Sequence, residues 1–258
     1  TVSLKGFGVE QLQLGIIAAG AALHYLAETQ HDKVGHISHL TRIDEDRFVW
    51  LDRFTIRNLE LFQPSGYSDG EKGKSLVDII DFTVSAMGSR MLKRWVGMPL
   101  KDLLPIKERL DLVELFIHQA NMAETMQGQI KSMGDLERLI AKVAVNRVSP
   151  RELVQLKNAL FEIKNLKEIC LQSNNNHLKK IGEQLNPCLL IAERLEKEIN
   201  PNPPALVNKG DVISTGVNND LDELRNLAFK GKDYLLQMQV KEAEKTGIPS
   251  LKISFNNV

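Results

Sequence analysis

The chain has 258 residues, 43% of them hydrophobic and 26% charged, which gives enough length and apolar content for one or two packed domains and excludes a disordered, fibrous or collagen-like chain. Its 33 Lys and Arg balance 33 Asp and Glu, so a formal net charge of zero excludes a global basic field for nucleic acid or an acidic field for a basic partner. The longest apolar run, Ile16 to Leu23 interrupted by Gly20, is too short to span a bilayer, and no signal-peptide pattern surrounds it.

Val9 to about Thr29 is rich in Ala, Leu, Gln and Glu and reads as a buried or half-buried helix. Alternating stretches at 36–41 and 48–52 predict strands, and residues 63–74, with Pro64, Gly66, Gly70 and Gly73, predict a surface loop. Beyond that loop the pattern is almost wholly helical. Ser75 is placed to cap a short helix with Leu76, Val77, Ile79 and Ile80. Thr83 is placed to cap the next, which carries Met87, Met91 and Trp95 at spacings of four, a core stripe, as far as Pro99. Asp102 starts a helix through Leu115, and Asp135 another through Ala144.

The strongest local signal is Ser149-Pro-Arg-Glu152, with Ser at the N-cap, Pro at the first helical position and Glu at the third. It predicts a helix to about Leu171. After a break at 173–176, short helical segments end at Ile199, and Asn200-Pro-Asn-Pro-Pro204 marks a junction. The last large element runs from about Asn219 to Lys245. Leu221, Leu224, Ala228, Gly231, Leu235 and Met238 alternate spacings of three and four, a coiled-coil-like seam on an arm roughly 40 Å long. Leu251 to Phe255 alternates like a half-buried strand. A lone terminal strand needs a partner, so the expectation is a piece of a longer protein.

The search for chemistry yields little. Gly70-Glu-Lys-Gly-Lys-Ser75 ends like a phosphate-binding loop, but Ser68 stands where the motif demands its first glycine, and the loop reads as a solvated turn with a Ser75 cap. His31, His36 and His39 lack a metal-ligand pattern with a nearby carboxylate or cysteine, and His24, His118 and His177 stand alone. Arg90, Lys93, Arg94, Lys101, Lys107 and Arg109 outnumber Asp102 and Glu108 between Ser85 and Arg109. That local basic patch reads as a solvated face with structural ion pairs before it reads as a phosphate contact. Cys170 and Cys188 form no disulfide framework and fit a reducing cytosolic setting; Cys188, at a helix start, is where a lowered thiol pKa is conceivable. No nucleophile elbow, zincin motif or dinucleotide fingerprint is present.

Several segments together resemble the MutS family of bacterial mismatch-recognition proteins. Ser3-Leu-Lys-Gly-Phe-Gly8 followed by Ala18 to Leu26 is similar to its connector-to-core junction. Asp52-Arg-Phe-Thr-Ile-Arg-Asn-Leu-Glu-Leu61 resembles its Asp-x-x-Thr-x-x-Asn-Leu-Glu segment through Asp52, Thr55, Asn58 and Glu60. Asp81 to Trp95, closed by Pro99-Leu100, is similar to its most characteristic core helix, with Gly88, Ser89, Arg90, Arg94 and Trp95 as structural motif residues. Leu221-Asp-Glu-Leu224, Tyr234-Leu235 and Lys245 through Asn257 resemble the lever and the first clamp strand.

The resemblance implies a mainly α fold: a multi-helix core with a long coiled-coil-like lever helix, a few short strands near the N-terminus and one terminal clamp strand. It divides the chain into a junction helix (1–30), a helical core (31–205), a lever arm (206–247) and a truncated start of the clamp (248–258). It implies a non-catalytic module that links ATPase domains to a DNA clamp, without cofactor or metal in this piece, whereas the full-length protein uses ATP and magnesium in an ABC-type ATPase. The implied partners are double-stranded DNA with mismatches, a second copy in a homodimer formed by absent domains, and a MutL-type repair protein, with no membrane. Lys252 and Asn257 are the implied weak DNA contacts, and the implied setting is the bacterial cytoplasm, nucleoid-associated on DNA. Two other readings are a helical nucleotide-dependent enzyme using Gly73-Lys74-Ser75 and a helical adaptor of a related protein outside mismatch repair.

Overall fold

The computed structural model describes residues 9–30, 34–35, 37, 43, 45–64, 67–68 and 71–252. Among them the architecture is helical, with eleven α-helices and one two-stranded hairpin. Helices α1 (Gln13–Gln30), α2 (Arg53–Asn58), α3 (Leu76–Ile80) and α4 (Ala86–Gly97) form the N-terminal part. Helices α5 (Leu103–His118), α6 (Ala120–Met133), α7 (Leu136–Ala144), α8 (Pro150–Gln172), α9 (Asn176–Gln184) and α10 (Leu189–Glu198) form the bundle, and α11 (Asn219–Thr246) follows.

The longest bundle helix, α8, is the hub. Leu156, Ala159, Leu160, Ile163, Leu166 and Cys170 are buried along it. Met133 of α6, Leu139 of α7 and Ala192 of α10 complete one core with α8, against which Met87 of α4 packs. Ala159 and Ala192 are both fully buried, so small side chains let α8 and α10 approach closely. The α8 N-terminus forms the capping box that its sequence announces. Ser149 Oγ accepts from Glu152 N, and the Glu152 carboxylate accepts from Ser149 N at 2.9 Å. Ser75 and Asp78 make the same arrangement at α3.

The strand expectations need correction. At 48–52 the alternation yields only an isolated antiparallel bridge between Phe48 and Leu100, after a single 3₁₀ turn at Glu45–Arg47, and Asp52 caps α2. The stretch expected as loop instead holds β1 (Tyr67–Ser68) and β2 (Glu71–Lys72), paired antiparallel. The expected strands at 36–41 and 251–255 lie mostly outside the described residues. Ser85, not Thr83, caps α4 by accepting from Gly88 N, because the Thr83 hydroxyl donates instead to Asp81 Oδ1. Helix α6 is an element that the sequence reading passed over.

Helix α11 matches the long helix expected from Asn219 to about Lys245, running from the Asn218 cap to Gly247, whose φ of 68° is a left-handed C-terminal turn suited to glycine. None of its described residues is buried, and Leu224, Leu235, Leu236, Met238 and Val240 are exposed. No described helix is long and apolar enough to cross a membrane.

Candidate functional site

Backbone hydrogen bonds tie down the chain that flanks the two signature segments. Val49 N donates to Pro99 O and Lys101 N to Arg47 O, pairing the chain before α2 with the chain after α4, while Leu76 N donates to Glu60 O and Val77 N to Leu61 O, fastening the turn after α2 to the start of α3. Glu60 makes the turn out of α2 with a φ of 50°, a left-handed conformation that a non-glycine residue adopts only under tertiary constraint. Asp52 Oδ1 accepts from Thr55 N at 2.6 Å, and this bond to a charged acceptor holds the Asp52 carboxyl below the usual carboxylate range. Thr55 O in turn accepts from Leu59 N, while Asn58 is the exposed last residue of α2.

In α4 the motif residues have separate tasks. A Cβ on Gly88 would lie 3.2 Å from both Ser85 Oγ and Thr83 Cβ, so glycine fits the capping turn. Ser89 Oγ donates to Asp81 Oδ2 at 2.6 Å; this and the Thr83 hydroxyl lower the Asp81 pKa. Arg90 reaches out of the segment altogether. Its Nη1 and Nη2 grip both Asp135 oxygens at 3.0 and 2.7 Å, and its Nε donates to Glu137 Oε2 at 2.9 Å. These bonds raise the pKa of Arg90 and lower that of Asp135. Arg94 is exposed; its carbonyl accepts from Met98 N. Trp95 is 42% exposed with Arg109 stacked 3.5 Å from its ring centre, and Met91 is exposed too, so only Met87 of the predicted stripe joins the core.

A second set of residues, of which the sequence singled out only the Ser149 and Glu152 cap, ties the bundle to the root of α11. Lys142 of α7 pairs with Glu152 of α8, and this pair with the Ser149 bonds lowers the Glu152 pKa to about 2. Arg151 Nε donates to Pro203 O at 3.1 Å. The Ile199–Ile213 bridge, with Asn200 N donating to Val212 O and Ser214 N to Glu198 O, joins the end of α10 to the segment before α11. Arg225 locks that segment to the first turns of α11, donating to Ile213 O at 2.7 Å and to Asp222 Oδ1 at 3.2 Å. Asp222 also accepts from Gly216 N. The signal for this set was faint: Asp222 and Arg225 stand three apart on one helix face, but the Gly216 amide and the Ile213 carbonyl that they bind lie outside the helix.

Other sequence candidates are placed apart from these contacts. The Ser75 hydroxyl is engaged with Asp78 in the α3 cap, and Lys74 is exposed. His177 lies 3.2 Å from the Glu108 carboxylate, joining α9 to α5. Cys170 is buried, which pushes its thiol pKa up, and Cys188 occupies a left-handed turn before α10. Among the described residues no cluster of three His, Cys, Asp or Glu is placed to hold a metal. Lys252 is exposed, and Asn257, His31, His36 and His39 lie outside the described residues.

Comparison with known proteins accounts for this arrangement. The family model described as MutS domain III matches residues 54–251. The chain is 57% identical over its whole length to the DNA mismatch repair protein MutS of Parabacteroides distasonis, 56% to that of Bacteroides thetaiotaomicron and 49% to that of Flavobacterium johnsoniae. It spans 29% to 30% of the length of these relatives. The matched range takes in α4, α8 and α11, and the chain belongs to the MutS family, of which it carries domain III.

Proposed function

We propose that this chain is the mechanical core of a mismatch-recognition ATPase, transmitting nucleotide state from ATPase domains to a DNA clamp. The observation that carries the reading is α11. It is a 28-residue helix, rooted by Arg225 and the Ile199–Ile213 bridge, with no buried residue among those described and apolar residues along its length. A helix held at one end and bare along its flank serves as an arm rather than as a core element. Leu221, Leu224, Ala228, Gly231, Leu235 and Met238 form the seam for a second helix, and a Cβ on Gly231 meets no described atom within 4 Å, leaving room for close approach.

In this reading residues 1–30 join the core to a connector, 31–205 form the core, 206–247 the lever and 248–258 the first part of the clamp, where Lys252 and Asn257 touch DNA phosphates weakly. Asp52, Thr55, Asn58, Glu60, Gly88, Ser89, Arg90, Arg94 and Trp95 hold the core in shape and do no chemistry. The full-length protein is then a cytoplasmic homodimer that binds ATP and magnesium, encloses mismatched duplex and hands it to a MutL-type partner. The relatives' name, DNA mismatch repair protein MutS, supports this assignment.

The test is Leu227→Pro in the full-length protein. Proline removes a backbone hydrogen bond inside α11 and kinks it at a cost of roughly 3 kcal/mol. Mismatched DNA should then lose most of its effect on nucleotide exchange, while exchange without DNA persists. Unchanged coupling in a folded, dimeric variant would remove the lever role.

A further inference from the structure

Helix α7 is nine residues long and is held by charge-assisted contacts at both ends. At its N-terminus Arg90 of α4 grips Asp135 in a fork and reaches Glu137 as well. Near its C-terminus Lys142 pairs with Glu152, the residue that closes the α8 capping box. Between these ends Leu139 is buried in the α8 core. Arg151, the residue before Glu152, hydrogen-bonds Pro203 O in the segment that leads through the Ile199–Ile213 bridge to the root of α11.

Each contact in this line joins two different elements, and together they run unbroken from the signature helix to the arm. A rigid element pinned at two points passes displacement from one pin to the other, whereas a helix held only by its apolar face is free to slide or rock. We propose that α7 is a strut, and that Arg90 and Lys142 are positioning residues through which α4 sets the orientation of the α8 N-terminus and, through Pro203, of the lever root. The proposal rests on the lever reading of α11 and specifies the route by which the lever is driven.

A local capping role and a strut role make different demands on the same residues. Asp135 is the N-cap of α7, and Asn caps a helix about as well as Asp. Asp135→Asn therefore keeps the cap and removes the carboxylate that Arg90 grips. Lys142→Met keeps the aliphatic stem and removes the charge facing Glu152. Glu137→Gln, at a side chain 66% exposed, removes a contact of Arg90 with little threat to folding.

The experiment places these variants and the Asp135→Asn, Lys142→Met double variant in the full-length protein. It measures the ratio of nucleotide-exchange rates on mismatched and matched duplex, with exchange in the absence of DNA and the melting temperature alongside. Asp135→Asn and Lys142→Met should each reduce that ratio by about 3-fold or more, within the roughly 2- to 30-fold range of residues that carry coupling. Glu137→Gln should reduce it less. DNA-free exchange should be unchanged, and the double variant should be no worse than the worse single, because a strut released at one end is already released.

A double loss equal to the product of the single losses, or an unchanged ratio in folded Asp135→Asn and Glu137→Gln proteins, would overturn the strut. Should Lys142→Met fail to fold, those two variants still decide. Leu227→Pro separates the two ideas. If it leaves coupling intact, the lever reading falls and the strut with it; if it abolishes coupling while the α7 variants do not, the strut alone falls.

Discussion

Two helical glycines should answer the same substitution differently. A Cβ on Gly182 in α9 would lie 2.8 Å from Cys170 Cβ and 3.3 Å from Leu171 Cγ and Cδ2, whereas one on Gly128 in α6 would meet nothing within 4 Å. Replacing a helical glycine by alanine gains about 0.5–1 kcal/mol, because glycine loses more backbone freedom on folding. Gly128→Ala should therefore stabilise the chain by that amount. Gly182→Ala collects the same gain but places two carbons at least about 0.7 Å inside their optimal separation of ~3.5–4.0 Å. Cys170 is 1% exposed, so its Cβ has nowhere to move without parting α8 from α9. Overpacking of this kind costs about 1–3 kcal/mol, which leaves Gly182→Ala between neutral and destabilised by about 2.5 kcal/mol. The gap between the two variants isolates the strain at about 1–3 kcal/mol. Urea unfolding at unchanged slope measures it directly. If Gly182→Ala stabilises as much as Gly128→Ala, the close α8–α9 approach at Cys170 is wrong.

The Glu152 carboxyl, with a pKa of about 2 in the fold against an ordinary 4.5, contributes stability that is complete above about pH 4.5 and drains away as the pH falls toward 2. Glu152→Gln should flatten the acid limb of a melting-temperature profile in that window, and an unaltered limb would contradict the Lys142 and Ser149 contacts. The isolated chain should show no magnesium-dependent ATP hydrolysis above a buffer control, because Ser68 breaks the phosphate-loop spacing and the Ser75 hydroxyl is engaged with Asp78; turnover sensitive to Lys74→Ala would refute this. Fluorescence anisotropy with the isolated chain should show only weak DNA binding that fades with salt and does not distinguish mismatched from matched duplex, as expected of a neutral chain. A clear mismatch preference at physiological salt would reveal a reader within these residues.

What the sequence disclosed was local. Ser149 and Glu152 sit three residues apart and satisfy each other within one turn, so the start of α8 was legible without its neighbours. The same holds for Ser75 and Asp135, and the length of α11 follows from its own run of helix-forming residues. Helix α6 escaped because Gln119, which opens it, is not one of the side chains that favour a helix start. Thr83 and Ser85 are equally good capping residues two positions apart, and only the Asp81 carboxylate, by taking the Thr83 hydroxyl, decides between them. The alternation at 48–52 is real, but its single bridge is to Leu100, and no second strand extends it. The residues that join elements were the least visible. The α4 signature was recognisable as a motif, yet the task of Arg90 was not, because its partners stand 45 and 47 positions away. Only folding brings that guanidinium to the mouth of α7.

The rooting of α11 has a consequence in angles. At about 1.5 Å per residue its 28 residues span roughly 42 Å, and the bonds that fix its direction, from Arg225, Asp222 and the Asn218 cap, lie within its first two turns. A rotation of about 5° at that root, which needs side-chain adjustments of only a few tenths of an ångström there, swings the far end by roughly 3.7 Å, by the geometry of a rigid rod of that length. Gly247 then turns the chain at the point of greatest travel. Small errors in the seating of Arg225 are magnified by the same factor. The aim of the distal tip is therefore set by a guanidinium and a carboxylate at the base, and substitutions at Arg225 or Asp222 should blur the position of residues about 40 Å away while leaving the helix itself intact.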